Sequence, residues 1–237
     1  MARPSRRPTV ADEPRGVRSG APSACITVLA GTNGGGKSSI AGAMLRSAGS
    51  EYFNPDEVAR RLLMSDPALT QREANSHSWR EGKRLLERAI RKRLSFAFET
   101  TLGGETITRL LEQALSAGLE VRVWYAGLSS PDLHLARVRL RVRRGGHDIP
   151  ETDIRRRYTQ SLQNLVRLLP RLTELRVLDN SEEGDPNAGN APRPRLVLHL
   201  KAGRIVAPSR ASVPSTPDWA KPIFAAALKA QAAPRRP

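Results

Sequence analysis

Aromatic residues are scarce in this sequence, at 4%, so its interior has to be built from Leu, Val, Ile and Ala. Cysteine is almost missing. Cys25 is the single one, which excludes an internal disulfide; it sits in an apolar run just ahead of a glycine cluster and reads as a small core residue rather than a reactive thiol. No apolar run approaches the ~18 residues that a membrane-spanning helix needs. Residues 1–23 carry five Arg but no apolar centre, so they do not read as a secretory signal. Their basic, Pro-rich composition reads as a disordered tail, and Asp12 and Glu13 interrupt a transit-peptide pattern. Together these absences point to the cytoplasm.

What the sequence does have is length for one α/β domain and an excess of cations. The 237 residues carry a net charge of +16. The excess is local. Residues 80–93 hold seven basic and two acidic side chains, and residues 137–171 hold ten Arg against three acids. Such a field suits polyanionic ligands, nucleotides and nucleic acids alike, although charge runs on helices also serve as solvated faces.

Hydrophobic periodicity predicts strands over 26–30, 51–54, 95–99, 120–126, 175–179 and 196–200, the last followed by a turn and a short return at 205–206. Helices are predicted from 38 to 45, from Pro55, over 71–93, over 105–117 with Gly118 just past its end, from Pro131 to about 144, over 151–169, and over 217–229. The alternation implies an α/β fold with a parallel sheet covered by helices on both faces, and the first strand, running straight into a glycine cluster, reads as the entry to the P-loop of an NTPase. The expected organisation is a basic tail over 1–23, a P-loop domain over 24–206 with two basic helices at about 137–169, and a Pro/Ala-rich tail over 207–237.

The strongest motif is Gly31-Thr32-Asn33-Gly34-Gly35-Gly36-Lys37-Ser38, followed by Ser39. Glycines let the backbone N–H groups turn inward around phosphate oxygens, and the helix start adds its dipole. Lying between a strand and a helix, the motif predicts ATP binding by residues 31–39, with Lys37 on the β- and γ-phosphates and the Ser38 hydroxyl on Mg²⁺. In an α/β sheet the ligand crevice lies at the carboxyl ends of the strands. Asp56 sits there, in Asn54-Pro55-Asp56, as a general base or a group near Mg²⁺; the alternative is a carboxylate favoured by a helix dipole. Glu99, Thr100 and Thr101 end the next strand and are candidates for binding the substrate, with helix capping as the plainer role of the threonines. Asn180 ends a later strand, where an adenine contact is expected.

Arg139, Arg143 and Arg144 precede Gly145-Gly146, and Arg155, Arg156 and Arg157 follow it. Two basic helices on a glycine hinge read as a lid that closes over phosphates. Neighbours on a helix face different ways, so one or two of the six should act; Arg144 and Arg156 are the positions chosen. His147 reads as a loop hydrogen-bonder. Asp148 and Glu151 read as caps of the second lid helix, and Tyr158 as core.

These pieces, with Asn54-Pro55-Asp56-Glu57, Phe98-Glu99-Thr100-Thr101-Leu102, the 141–151 segment Arg-Val-Arg-Arg-Gly-Gly-His-Asp-Ile-Pro-Glu and Asp179-Asn180-Ser181, resemble the zeta-toxin family and its chromosomal P-loop relatives over about residues 24–206. The resemblance implies a nucleotide-kinase-like fold with a lid, and ATP- and Mg²⁺-dependent phosphorylation of a sugar hydroxyl of UDP-N-acetylglucosamine. It implies Asp56 as the base, Glu99 in sugar-nucleotide binding, Lys37 and Ser38 on ATP and Mg²⁺, lid arginines on the phosphates, and an antitoxin as a partner. The lid sequence follows the relatives and differs from that of the toxins proper. A nucleic-acid-binding or polynucleotide-modifying NTPase is the alternative that the charge supports, but stacking aromatics are few. A GTPase-type switch would show an Asn-Lys-x-Asp motif, which is missing.

Overall fold

The computed structural model describes residues 23–38, 40, 52–182 and 194–232. The basic segment at the start, Ser39, the predicted helix beyond residue 40 and most of the 181–194 loop lie outside them.

The sheet has six strands: β1 (Cys25–Ala30), β2 (Phe96–Thr100), β3 (Glu120–Gly127), β4 (Glu174–Asp179), β5 (Arg195–Lys201) and β6 (Arg204–Ala207), in spatial order β2-β1-β3-β4-β5-β6. The first four pair in parallel, with Val28 opposite both Phe98 and Val123. The parallel sheet expected from the sequence therefore holds through β4, and β5 and β6 add an antiparallel edge. Their hairpin turns at Ala202 (φ 47°) and Gly203 (φ 68°), the left-handed pair that fits the twist of a two-residue turn.

The strand predicted at 51–54 is corrected to a single bridge, Phe53 beside Phe98. Phe53 exchanges backbone bonds with Ala97 and Glu99. It goes no further because Pro55 has no N–H for a ladder and Asn54 already caps the next helix.

That helix is α1 (Pro55–Ser65), followed by α2 (Gln71–Lys92), α3 (Glu105–Ser116), α4 (Pro131–Arg143), α5 (Glu151–Leu168) and α6 (Lys221–Ala232). The Asn54 side chain accepts from the N–H groups of Asp56 and Glu57. Thr70 and Glu73 form a reciprocal capping box on α2, which satisfies two of its orphan donors. Gly118 at φ 73° ends α3 as predicted.

One apolar core holds these layers. Ile26, Val28, Val121, Val123, Leu175 and Val177 on one sheet face meet Leu86 of α2, Leu111 of α3 and Leu165 of α5. Each such side chain contributes roughly 1.5–3 kcal/mol by leaving water. The stretch read as a Pro/Ala-rich tail supplies Trp219, Ile223, Phe224 and Ala227 to the same cluster, so the core extends past residue 206. Leu29 and Ala97 line the opposite face with Tyr52 and Trp124 packed on them. A separate small core, Leu135, Val138, Ile149 and Ile154, holds together α4 and α5, the two helices expected to form a lid.

Candidate functional site

Strand β1 delivers the chain straight into the glycine loop. Gly31, at φ 137°, lies so close to β3 that a Cβ there would overlap the carbonyl oxygen of Ala126. Gly35 N–H closes the turn on the Thr32 carbonyl (3.1 Å), and Ile40 N–H reaches the Gly36 carbonyl (3.0 Å) as a helix begins at Lys37. The loop is held from outside by two side chains. Asn180, after β4, donates through Nδ2 to the Gly35 carbonyl (3.1 Å). His134 of α4 meets the Asn33 carbonyl through Nδ1 at 2.7 Å. His134 is 1% exposed. Burial first, and then Lys37 and Arg137, push its pKa down to about 4, so near neutrality the ring is uncharged and Nδ1–H is the donor.

At the end of β2, Glu99 gathers the first residues of the loop helix. Its Oε2 accepts from Ser38 Oγ (2.8 Å) and from Asn54 Nδ2 (3.3 Å), and its Oε1 lies 3.6 Å from Lys37 Nζ. Lys37 also donates to the Thr32 carbonyl (3.4 Å). Lys37 and Glu99 are both buried. Asn54 thus works at both ends: its oxygen starts α1 and its amide holds Glu99.

A cavity of about 410 Å³ opens from this cluster. It is lined by Asn33 and Lys37 of the glycine loop, by Asp56, Glu99, Thr100 and Thr101, and by Phe53, Asn75, Ser78, Trp79, Lys83 and Ile107. His147 and Asp148 of the loop between α4 and α5 also line it, and α5 adds Asp153, Arg156 and Arg157. Asp56 sits in the first turn of α1 with Oδ2 3.7 Å from Arg141 Nη1.

The loop after β2 is tied down strongly. Thr100 Oγ1 accepts from Leu102 N–H (3.1 Å), and Thr101 Oγ1 accepts from Gly103 N–H (3.4 Å). Neither threonine caps α3, whose N-cap Gly104 has no side-chain bond. Leu102 is fully buried at φ 55°, a left-handed conformation costly for a branched residue. Helix α5 holds it there. Ser161 donates to the Thr101 carbonyl (2.7 Å), Asn164 donates to the Leu102 carbonyl (2.8 Å), and Tyr125 donates to Ser161 (3.0 Å).

The lid arginines sort by partner. Arg155 pairs with Glu151 and Asp132, Arg139 with Glu151, and Arg156 with Asp153 and Gln160. Arg144 caps the end of α4 and is not among the cavity-lining residues. Arg156 lines the cavity but points its guanidinium at its own helix. Arg157 is the one that reaches the glycine loop, donating to Asn33 Oδ1 (3.0 Å) and to Asp153 (3.1 Å) while packing over Gly103. Arg157 and Arg141, not Arg144, thus contact the residues expected to act. Helical phase relative to the lid's buried Ile154 and Val138, each three residues away, is the signal that could have separated them.

Three smaller expectations resolve differently. Asp148 accepts from Ile149 N–H (2.8 Å) and Glu151 pairs with arginines, so neither caps α5, whose N-cap is Pro150. Tyr158 is half-buried, edge-on to His134 at 5.6 Å, with its hydroxyl near the Leu128 and Ser129 carbonyls. Asn180, expected on adenine, is buried and directed at the loop carbonyl. His147 is half-buried in the lid loop, where burial pushes its pKa down against the pull of Asp56. Cys25 is partly buried, and burial pushes its thiol up, as an inert core residue requires.

An uncharacterised protein of Haemophilus influenzae is 31% identical over 128 residues, which cover 54% of this chain and 88% of that protein. Among solved structures, a chain of the AvrRxo1-ORF1:AvrRxo1-ORF2 complex with sulphate ions superposes with a TM-score of 0.62 at 18% identity, covering 83% of this chain and 64% of that one. The same pair solved with ATP gives 0.61 with the same identity and coverage. This chain therefore spans less than two thirds of the length of those relatives. A chain of the PezAT chromosomal toxin-antitoxin system of Streptococcus pneumoniae gives 0.54 at 11% identity, covering 89% and 86%. At these identities the likeness speaks for the fold alone. The family model described as Zeta toxin matches residues 10–184, three quarters of the sequence and all of the site just described, and the chain belongs to the zeta toxin family.

Proposed function

We propose that this protein is an ATP-dependent kinase that transfers the γ-phosphate to a hydroxyl of a sugar nucleotide such as UDP-N-acetylglucosamine. The observation that carries the reading is one cavity of about 410 Å³ lined both by phosphate-loop residues Asn33 and Lys37 and by the carboxylates Asp56 and Glu99. The family match and the fold shared with a complex solved with ATP support it.

The residues divide the work as follows. Amides of residues 34–38 and the Lys37 ammonium grip the β- and γ-phosphates. Asp56 takes the proton of the acceptor hydroxyl. The acceptor oxygen bonds to the γ-phosphorus, the bond from that phosphorus to the β–γ bridging oxygen breaks, and ADP leaves with the bridging oxygen. Arg157, already beside Asn33, supplies charge to the transferring group. Arg144 and Arg156 would have to turn from their present partners to do so. Thr100, Thr101 and Glu99 border the acceptor's path, and Asn180 serves ATP by fixing the Gly35 carbonyl. Ser38 Oγ and the Glu99 carboxylate, 2.8 Å apart beside Lys37, are hard oxygen donors of the kind magnesium takes. They fit it better than the pair Ser38 and Asp56, since Asp56 faces Arg141. When bound, magnesium would offset the charge of the β- and γ-phosphates.

An antitoxin is proposed as a partner because one structural relative comes from a toxin-antitoxin system. No helix among the described residues is long and apolar enough to cross a membrane, and we place the protein in the cytoplasm. The nucleic-acid alternative rests on the +16 charge, yet several lid arginines are matched by carboxylates.

The test is incubation with γ-labelled ATP, Mg²⁺ and a metabolite panel that includes UDP-N-acetylglucosamine. Transfer by the natural protein, lost in Lys37→Ala and in Asp56→Asn with nucleotide binding kept in the latter, is the expected result. Full transfer by Asp56→Asn would remove Asp56 as the base.

A further inference from the structure

We infer that Arg141 is a positioning residue for Asp56, fastening that carboxylate to the lid loop so that the base is aimed only while the loop is seated. The inference rests on the kinase reading above and adds to it a residue that the glycine hinge and the basic runs did not single out.

Arg141 lies in the last turn of α4. Its guanidinium spans two elements that are far apart in sequence. Nη1 lies 3.7 Å from Asp56 Oδ2 at the start of α1, and Nη2 donates to the His147 carbonyl in the lid loop at 3.2 Å. Nε is buried and, among the described residues, has no hydrogen-bond partner. A solvated surface arginine would leave Nε to water, so this side chain is laid into place rather than waving.

The loop is shaped around it. The N–H groups of Arg144 and Gly146 both bond the Arg141 carbonyl at 3.0 Å. A Cβ on Gly146 would come within 2.7 Å of Arg141 Cγ and 3.1 Å of its carbonyl oxygen. Only glycine lets the chain fold so tightly over the arginine stem. The same turn brings His147 into the cavity wall that Asp56 shares. Ile149, two residues on, anchors the loop in the small core with Val138, one turn before Arg141.

The ion pair is about a third to a half exposed on each side, where such pairs add little to stability. Its consequence is geometric. A base misplaced by an ångström can lose about a hundredfold in rate, and the ion pair with Arg141 bears on where Oδ2 points. Arg141 also offers a donor on each prong, which a lysine cannot reproduce.

Two measurements on the full-length chain test this. The first is steady-state transfer by natural protein, Arg141→Gln, Arg141→Lys, Asp56→Asn and the Arg141→Gln/Asp56→Asn double variant, with ATP affinity measured separately. Arg141→Gln should lower kcat roughly ten- to a hundredfold with ATP affinity within about twofold, and Arg141→Lys should fall between. On the residual turnover that survives in Asp56→Asn, adding Arg141→Gln should cost nothing more. A multiplied loss in the double variant, or a weakened ATP affinity in Arg141→Gln, would show that Arg141 serves phosphate directly and would overturn the inference. The second measurement is amide hydrogen exchange over residues 144–150, which needs no turnover. Asp56→Asn and Arg141→Gln should each speed exchange there, and the double variant no further. Unchanged exchange in Asp56→Asn would sink the coupling. Should the natural protein transfer phosphate to no acceptor, the kinase reading fails while the exchange result still decides the Arg141–Asp56 link.

Discussion

Ser38 Oγ donates to Glu99 Oε2 across 2.8 Å, joining the first helical turn after the glycine loop to the end of the neighbouring strand. Lys37 reaches the other carboxylate oxygen. Two residues 61 positions apart in the sequence thereby hold the site's cation, hydroxyl and carboxylate in one buried cluster.

Replacing Glu99 by Gln keeps its shape but turns one acceptor into a donor that faces Lys37 Nζ or Asn54 Nδ2, which are donors already. Phosphate transfer by Glu99→Gln should fall by roughly a hundredfold while the fold persists. Steady-state assays with labelled ATP at several magnesium concentrations read this; activity within threefold of the natural protein would mean that the cluster is only structural.

Asn54 separates stability from chemistry. Asn54→Ala removes the α1 cap, a loss of about 1 kcal/mol, and should lower the melting temperature by roughly 2–4 °C. Asn54→Asp keeps a capping oxygen but sets a second carboxylate against Glu99. It should melt higher than Asn54→Ala yet be the poorer enzyme. Thermal denaturation and transfer rates on the same preparations give the comparison.

At Gly31 a methyl group would overlap the Ala126 carbonyl at a backbone angle that side chains avoid. Gly31→Ala should cost about 3 kcal/mol or more and abolish nucleotide binding. Gly104 has open space around it and caps α3 without a side chain. Gly104→Ser should stabilise by a few tenths of a kcal/mol. Equal urea midpoints for the two variants would contradict the packing described.

His134 makes the fold acid-sensitive. Its pKa falls from 6.5 unfolded to about 4 folded. Between those values the unfolded chain binds more protons, so the stability that this residue confers is whole above pH 6.5 and is lost as pH falls towards 4. The slope is at most about 1.4 kcal/mol per pH unit. His134→Gln can still donate to the Asn33 carbonyl and should flatten the pH dependence. Urea titrations at pH 7, 6 and 5 check it, and parallel curves for the two proteins would rule it out.

Ser161→Ala would leave the buried Tyr125 hydroxyl and the Thr101 carbonyl without their shared partner. The expected loss is about 1–3 kcal/mol, with a raised KM for the acceptor because the left-handed Leu102 turn loosens. A variant that melts like the natural protein would show that the chain of hydroxyls is dispensable.

Much of the site could be read along the chain because its rules are local. The glycine loop, the Asn54-Pro55-Asp56 helix start, the Gly118 stop and the two lid helices depend on dihedral preferences and on spacings of three or four residues. Those same rules overestimated the strand at 51–54, where Pro55 ends the ladder. They also treated 207–237 by composition, although Trp219 and Phe224 complete the core.

The sequence by itself determined the phosphate loop, the α/β alternation and the candidate carboxylates, since each follows from backbone chemistry within a few residues. Only the tertiary structure decided that Glu99 meets Ser38, that Asn180 secures Gly35, that Arg141 pairs with Asp56, and that Arg157 reaches Asn33. The physical reason is that a partner 61–145 residues away is set by strand register and by the rotation of a packed helix, and neither is fixed until the apolar core closes.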